Sequence, residues 1–557
     1  MPIHCGQRVA SEMNAAKPTN IAQKSGKSIR KLAGNIKITI YTADLLLAGL
    51  SGIVYVCLRF IFHEMIKAAG FKDGGLINYD SYYHFAFVEE LVRSGNDFLF
   101  QNPFGSLDQE PLLFNLYASV LKFFRPLYES NLFVFDCVLG ALVIFMTSLC
   151  LLKLVSDLGL IEKSILLFGG GVAFIGVFIG RVPMENAVWA GYWGLTYLLN
   201  QIATPEIIYH FIFFFGLYCL IKGKDIGVVF VIAFLIFLHP FTAMTFNVSV
   251  GSAWLYQWFK THKMINHRFR LFVYAVASAI ISVLLYQIYL PLISKDAEYY
   301  KMAYENIPFY IDTLEYVLFL IIPVSYCIGS LVFRKRSQCL DQPEKLWIFA
   351  GTSIFCVAMS TSYLFTDKII QPAHWSRVFP YVFILAAGGL FVKKRNGIQA
   401  SRVSKLVKAC LLCIAIFDSA LGIKYVSEAL LTEKRPPQFL TTDQVQVIEK
   451  AKNLPPGMFL YLRDSANKQS VGDFEYAMMA LSPQKGFFGH THFSPFFESI
   501  SRHLYPCRQG YRLPHPWLNL SDYIVFDRKL FDKLAFQHWS ILYMGKELVF
   551  VRNIKDT

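Results

Sequence analysis

The sequence predicts an α-helical polytopic membrane protein with about eleven spans and a small C-terminal α/β domain. Three observations predict this fold class. Hydrophobic residues make up 55% of the 557 residues and charged residues only 17%, a composition typical of membrane proteins. The apolar residues fall into runs of about 20, the length that crosses a bilayer. Residues 431–557 differ, because short apolar strands there alternate with polar helical stretches.

The apolar runs predict the positions of the spans. They lie at 38–62, 131–155, 164–180, 204–221, 226–240, 241–259, 269–293, 314–333, 346–366, 378–392 and 406–427. His239-Pro240 separates the fifth span from the sixth, and it marks either a hairpin between two spans or a kink in one long helix.

A hairpin at His239-Pro240 agrees with the charge pattern. It places four basic segments on one side of the membrane: 1–37, 260–268, 334–345 and 393–405. Lys and Arg are enriched in cytoplasmic segments, so we expect a cytoplasmic N-terminus. A kink would move the later basic segments to the other side.

This topology divides the chain into three parts. Residues 1–37 form a basic cytoplasmic tail without the apolar core of a signal peptide. Residues 38–430 form the transmembrane domain, with a long first external loop at 63–130. Residues 431–557 form an α/β domain, and an odd number of spans places it on the periplasmic or luminal side. We therefore expect an integral protein of a bacterial inner membrane or of the endoplasmic reticulum.

Strand-like segments support the C-terminal α/β domain. Apolar and aromatic residues concentrate in four of them, with Gly545-Lys546 as a turn between the last two. The predicted strands are Phe459–Leu462, Tyr523–Phe526, Ser540–Tyr543 and Leu548–Val551.

The net charge of +14 does not indicate a nucleic-acid-binding protein. The Lys and Arg residues are spread over short segments between apolar runs, whereas nucleic-acid binding needs one basic face. Membrane topology explains the charge, and the expected partners are lipids. Of the 11 cysteines, only Cys507 lies in the C-terminal domain, so no disulfide framework is expected there.

An acid and a histidine follow the first span, in Asn78-Tyr-Asp-Ser-Tyr-Tyr-His84. Ionisable groups at a membrane edge are costly to keep, so Asp80 and His84 are functional candidates. Helix ends from distant parts of the chain can meet in one cavity. The same side of the predicted topology also carries Tyr83, Asp108, Glu110, Arg181, Glu185, His239, Glu298, Glu305, His374 and Arg377.

Structural roles compete with functional ones at these positions. Asp80 could cap an amphipathic helix at 85–93. Glu185 stands four residues after Arg181, a spacing that allows an ion pair within one helix. His239 could be an ordinary loop residue, and Arg377 could anchor a span end.

The first loop resembles a known signature. Asp80-Ser-Tyr-Tyr-His84, Val88-Glu89-Glu90, Gly95 and Asn102-Pro103 are similar to the first loop of the GT-C superfamily of membrane glycosyltransferases, particularly the catalytic subunit of oligosaccharyltransferases. The resemblance extends loosely over residues 38–430. It implies that Asp80 is the catalytic base or a metal ligand and that Glu185 is a second acid. Together they offer oxygen ligands suited to Mg²⁺ or Mn²⁺.

Two departures narrow the resemblance. The acceptor-recognition motif that begins Trp-Trp-Asp is absent from residues 430–557, and Arg181-Val-Pro-Met-Glu185 has one acid where oligosaccharyltransferases carry two. Both departures disfavour protein N-glycosylation and leave the broader superfamily.

The resulting hypothesis is an enzyme that transfers a sugar from a polyprenyl-phosphate donor to a lipid, glycan or protein acceptor, with inversion at the anomeric carbon. Asp80 would take the acceptor proton, while His374, Arg377 and Arg181 would hold the donor phosphate. Tyr83, His84 and His239 are candidate substrate contacts. The alternative is a transporter or flippase for lipid-linked glycans, or a polymer ligase, although no internal repeat indicates a transporter.

Overall fold

The computed structural model describes residues 42–57, 59–61, 131–156, 205–293, 343–360, 440–462, 473–486, 521–532 and 539–554, with a few single positions between 63 and 167. This part of the chain is mostly helical, with one small sheet. The chain divides after Leu47 into two units. Of the first unit, only the first residues of one helix are described. The interactions below belong to the second unit.

Seven long helices coincide with predicted spans. They are α1 (Thr42–Ile61), α2 (Leu132–Leu154), α3 (Pro205–Ile221), α4 (Asp225–Leu238), α5 (Pro240–Thr261), α6 (Phe269–Ile293) and α7 (Pro343–Ser360). Among the described residues, α1 and α2 are long and apolar enough to cross a membrane. Shorter apolar stretches lie in α3, α4, α6 and α7. Most of the predicted span at 164–180, and all of those at 314–333, 378–392 and 406–427, lie outside the described residues, so eleven spans remain a prediction.

The chain reverses direction at His239-Pro240. A Cβ atom added to Gly216 of α3 would lie 2.7 Å from Val231 Cγ1 of α4 and 2.7 Å from Phe246 Cζ of α5. Both helices therefore flank the same turn of α3, one before the break and one after it. A continuous kinked helix could not bring Phe246 back to the level of Val231. The hairpin prediction is confirmed.

Five helix ends meet around the buried Arg268. Its Nη2 donates to the Leu220 carbonyl at 2.7 Å, and its guanidinium lies 3.1 Å from Glu344 and 3.5 Å from Asp225. Gln257 Nε2 donates to the second oxygen of Glu344 at 2.8 Å. The end of α3, the start of α4, the end of α5 and the starts of α6 and α7 therefore lie together, as alternating helix directions require.

Polar side chains join the helices that pack on α5. Asn247 Nδ2 donates to Ser278 Oγ of α6 at 2.9 Å, and Ser249 Oγ lies 2.7 Å from Thr352 Oγ1 of α7. All four residues are buried. Hydrogen bonds of this kind between small polar residues stabilise helix pairs in apolar surroundings.

The C-terminal domain contains a five-stranded sheet. Its strands are β1 (Met458–Leu462), β2 (Lys485–Gly486), β3 (Tyr523–Asp527), β4 (Trp539–Met544) and β5 (Leu548–Asn553), in the order β2-β1-β3-β5-β4. β1 pairs in parallel with β2 and β3, whereas β5 pairs antiparallel with β3 and β4. Helices α8 (Thr442–Lys452), α9 (Asp473–Leu481) and α10 (Arg528–Phe531) complete it. The four predicted strands are confirmed, and the two-residue β2 was missed.

The sheet domain shares its hydrophobic core with the helix bundle. Phe135 of α2 is buried in the same cluster as Val447 of α8 and Phe550 of β5, and Leu132 and Ile208 pack against that cluster. The starts of α2 and α3 therefore contact the domain. We call this end of the bundle the domain-side end, and the end that carries Arg268 the opposite end.

Asp443 in the first turn of α8 holds the β4–β5 hairpin. Its carboxylate accepts hydrogen bonds from Glu547 N at 2.6 Å, Tyr543 Oη at 2.9 Å and Leu548 N at 3.1 Å. Burial raises the pKa of Asp443, but these donors outweigh burial and keep the pKa below its ordinary value. Burial and the neighbouring Asp443 raise the pKa of Tyr543 to about 12.

We expect Arg268→Met to lower the free energy of unfolding by about 2–4 kcal/mol, because the Leu220 carbonyl and Glu344 would lose their charged donor. Thermal unfolding of the purified full chain measures this loss. Arg270→Met removes an exposed arginine two residues away and is the matched control. Equal unfolding midpoints for the two variants would contradict a stabilising role for Arg268.

We expect Asp443→Asn to weaken the β4–β5 hairpin by about 1–2 kcal/mol at neutral pH, because an amide cannot accept all three hydrogen bonds. Since the pKa of Asp443 is lowered in the folded chain, its contribution is complete above the unfolded pKa of about 4. It is lost as pH falls through the lower folded pKa, so wild type and variant converge in acid.

Hydrogen exchange of residues 539–553 in the full chain reports this local stability. Asp532→Asn makes the same charge change in the exposed Arg528–Asp532 pair and should change stability by less than about 0.5 kcal/mol. A loss in Asp443→Asn that persists unchanged below pH 3 would rule out the proposed ionisation.

Candidate functional site

The structure describes one of the predicted site residues, His239. The others lie outside the described residues: Asp80, Tyr83, His84, Arg181, Glu185, His374 and Arg377. Glu89 of the first-loop signature is described as a single buried position. The described residues around His239 therefore define the part of the site that can be built from contacts.

His239 joins two helices through both its backbone and its ring. A residue before proline avoids the helical region, and His239 is extended, so α4 ends there and α5 begins at Pro240. Its Nδ1 accepts a hydrogen bond from Thr242 N at 3.3 Å and lies 2.8 Å from Thr242 Oγ1. Because Nδ1 accepts, the neutral ring carries its proton on Nε2. The cap thus turns His239 into a hydrogen-bond donor at Nε2.

Tyr209 of α3 holds the His239 ring. Tyr209 stacks on it with the ring centroids 4.1 Å apart and the planes only 2° from parallel. The neighbouring His210 meets Tyr209 edge-on at 4.9 Å. All three side chains are buried. The site predicted from the sequence did not include Tyr209 and His210. The available signal was two adjacent polar aromatic residues within a run of Ile and Phe.

A buried ion pair links α1 to α2. Arg59 Nη2 lies 3.0 Å from Asp136 Oδ2, and the two side chains are 0% and 1% exposed. The Arg59 guanidinium also lies 5.1 Å from the centre of the Phe133 ring, within cation–π range. Tyr55, one turn earlier on α1, is fully buried. Charges so thoroughly removed from water occur in proteins when they are paired.

The sequence contains a signal for this ion pair, although neither residue is among the predicted site residues. Arg59 lies near the end of the first predicted span, and Asp136 lies near the start of the second. Consecutive spans run in opposite directions, so the two positions fall at similar depth. Opposite charges at matching depth in neighbouring spans predict an ion pair between them.

Both clusters lie at the domain-side end. Ile208 precedes Tyr209 and packs against the cores of both the bundle and the sheet domain. Phe135 precedes Asp136 and is buried in the core that contains the sheet. The C-terminal domain therefore contacts the starts of α2 and α3, next to Asp136 and Tyr209.

A third polar contact lies within the sheet domain. Tyr461 Oη donates to Asp527 Oδ1 at 2.9 Å, and both residues are buried. Asp527 ends β3, which runs parallel to β1. The chain leaves β1 toward β2 on one side and later returns as β3 on the other, so the chain order reverses at β1. Crevices at the carboxyl ends of such strands are common ligand sites in α/β proteins.

The described residues supply donors rather than metal ligands. They contain no group of three or more His, Cys, Asp or Glu side chains that could hold a metal ion. The Mg²⁺ or Mn²⁺ site at Asp80 and Glu185 falls outside them and remains a prediction. The His239 cluster places a buried histidine and a buried tyrosine together at the start of α5.

We expect Asp136→Asn to lower the free energy of unfolding by about 3–5 kcal/mol, because the buried Arg59 would keep its charge without the carboxylate. The double variant Arg59→Met/Asp136→Leu should recover most of that loss, since an apolar pair has no desolvation cost there. Thermal unfolding of Arg59→Met, Asp136→Leu and the double variant measures the coupling. Losses that simply add in the double variant would show that the two side chains act independently.

No protein-family model matches the sequence, and a search of curated proteins returns no match. The function must therefore be inferred from the geometry of the domain-side end and from the sequence pattern of the adjoining loops.

Proposed function

We propose that the chain is an integral membrane glycosyltransferase that moves a sugar from a polyprenyl-phosphate donor to a lipid, glycan or protein acceptor at the domain-side end. One observation carries the proposal. The sheet domain contacts the starts of α2 and α3 through Phe135 and Ile208, which are the sequence neighbours of Asp136 in the ion pair and of Tyr209 in the His239 cluster. Buried polar groups beneath a soluble domain suit a site where a lipid-linked substrate meets a water-soluble acceptor.

Exposed apolar side chains on the helices support the membrane placement. These side chains are exposed on the outer faces of four helices. Contact between so much apolar surface and water would be unfavourable. Examples are Ile53 of α1, Val138 of α2, Phe230 of α4, and Ile280 and Leu284 of α6. Lipid chains would cover these side chains.

Chain order supports a role for the predicted residues at the same end. Asp80 precedes α2 in the sequence, and Glu185 precedes α3, while both helices begin at the domain-side end. Arg377 follows α7, which begins at the opposite end beside Arg268 and runs away from it. With alternating helices, all three connecting segments join helices at the domain-side end.

The chemistry follows from these assignments. Asp80 takes the proton of the acceptor hydroxyl while the acceptor oxygen bonds to the anomeric carbon. The bond from that carbon to the phosphate oxygen breaks, and its electron pair leaves with the polyprenyl phosphate. Arg377, with His374 and Arg181, stabilises the phosphate charge. His239 is a further candidate contact for the phosphate or the sugar. Direct displacement inverts the anomeric configuration.

A row of buried polar side chains along α5 favours a second candidate, a flippase for lipid-linked glycans. Thr245, Asn247 and Ser249 are buried inside the bundle, and Asn247 contacts Ser278 of α6. Polar groups in the interior of a bundle can line a path for a polar headgroup. The middle of α5 contains no charged side chain, however. Sugar transfer at the domain-side end is therefore the better-supported function.

We expect Asp80→Asn to reduce transfer from a polyprenyl-phosphate sugar by about 10²–10⁴-fold in the reconstituted protein, because the amide cannot accept the proton. Asp108→Asn makes the same change in the same loop and should retain activity. Full activity in Asp80→Asn would remove Asp80 as the base. If the wild type and Asp80→Asn both move the donor lipid across the bilayer, and neither transfers a sugar, the flippase would be favoured.

A further inference from the structure

The α3–α4 turn, the α5–α6 loop and the adjoining helix ends present apolar and basic side chains at the opposite end. Ile226, Met264 and Ile265 are 89%, 57% and 77% exposed. Exposed lysines and an arginine surround them: Lys222, Lys224, Lys260, Lys263 and Arg270. We call these eight residues the basic fringe. Arg268 pairs with the nearby acids Asp225 and Glu344, so its single positive charge leaves only one of their two negative charges to set against the five cations of the fringe.

The loop is held in place by its own hydrogen bonds. Asn266 Oδ1 accepts from Arg268 N at 2.9 Å, and Asn266 Nδ2 donates to the Lys263 carbonyl at 3.2 Å. Trp254 Nε1 donates to the Met264 carbonyl at 3.0 Å. Met264 and Ile265 are therefore exposed from an ordered loop rather than from a loose one. Exposed apolar side chains in a fixed position indicate a binding surface.

The Trp254 contact also sets the depth of the loop. Trp254 lies about two helical turns before the end of α5 at Thr261, so its bond to Met264 brings the loop back along the bundle. Trp254 stacks on Trp258 with centroids 5.7 Å apart, and Phe259 lies 5.8 Å from Trp347 of α7. Such aromatic belts sit at the level of lipid headgroups. In the proposed membrane placement, Met264 would lie at the depth where headgroups meet acyl chains.

From this arrangement we propose that the basic fringe binds anionic phospholipid. Met264 and Ile265 enter the boundary of the acyl chains, and Lys260 and Lys263 hold the headgroup phosphates. Charge complementarity selects anionic over zwitterionic headgroups, because a cluster of cations gains from each added negative lipid. The inference rests on the membrane placement in the proposed function and is independent of sugar transfer.

The test uses delipidated full-length protein in detergent, titrated with phosphatidylglycerol or phosphatidylcholine and followed by native mass spectrometry. Wild type should prefer phosphatidylglycerol. Lys260→Gln/Lys263→Gln should bind phosphatidylglycerol about 30-fold more weakly and lose the preference. Lys450→Gln/Lys529→Gln removes two exposed lysines from the sheet domain and should match wild type. Met264→Ser/Ile265→Ser should weaken binding of both lipids.

Three results would overturn the proposal. One is equal binding of the two lipids by wild type. Another is an equal loss in the sheet-domain control, which would indicate a general charge effect. The third is competition by glycerol phosphate as strong as by intact lipid, which would indicate a simple anion site. Purification of the chain without detergent would instead refute the membrane placement, so the two failures are distinguishable.

Discussion

Pro240 constrains the direction of every helix that follows it. Proline lacks a backbone N–H and excludes the helical conformation from the residue before it, so α4 must stop at His239 and α5 must start afresh. Tyr209 then stacks on the His239 ring, and that ring caps α5 by accepting a hydrogen bond from Thr242 N, which holds the reversal in one geometry. The convergence of later helix ends on Arg268 depends on this reversal. So does the tautomer in which His239 donates from Nε2.

The two ends of the bundle differ in how they treat charge. At the domain-side end, polar groups are buried under the sheet domain and paired with each other, as Arg59 is with Asp136. At the opposite end, Arg268 satisfies the acids and the surrounding cations stay exposed. Buried charged groups stay in one position, because a movement would leave an unpaired charge in an apolar interior. A fixed position suits a group that takes part in catalysis. Exposed lysines retain their mobility, and this suits contact with many lipid headgroups.

The shared core of bundle and sheet domain connects these features to function. Phe135 is buried against the domain and Ile208 is partly buried there, while their neighbours Asp136 and Tyr209 contact other helices of the bundle. A shift of the domain would therefore move the ion pair and the histidine cluster through adjacent residues of the same helical turn. In the proposed glycosyltransferase, this coupling would let acceptor binding on the domain influence the groups beneath it, by way of rigid helix starts rather than a flexible linker.

Local sequence patterns determined the helices, the four longer strands and the hairpin, because apolar run length, strand composition and the geometry before proline act over a few residues. They also singled out His239. Only the tertiary structure decided that Tyr209 stacks on it, that Arg59 pairs with Asp136 and that Arg268 joins five helix ends. Each of these contacts joins residues far apart in the chain, and its energy comes from burial shared between helices. The sequence shows where the charged residues are. Which residue each of them pairs with depends on which helix faces pack together.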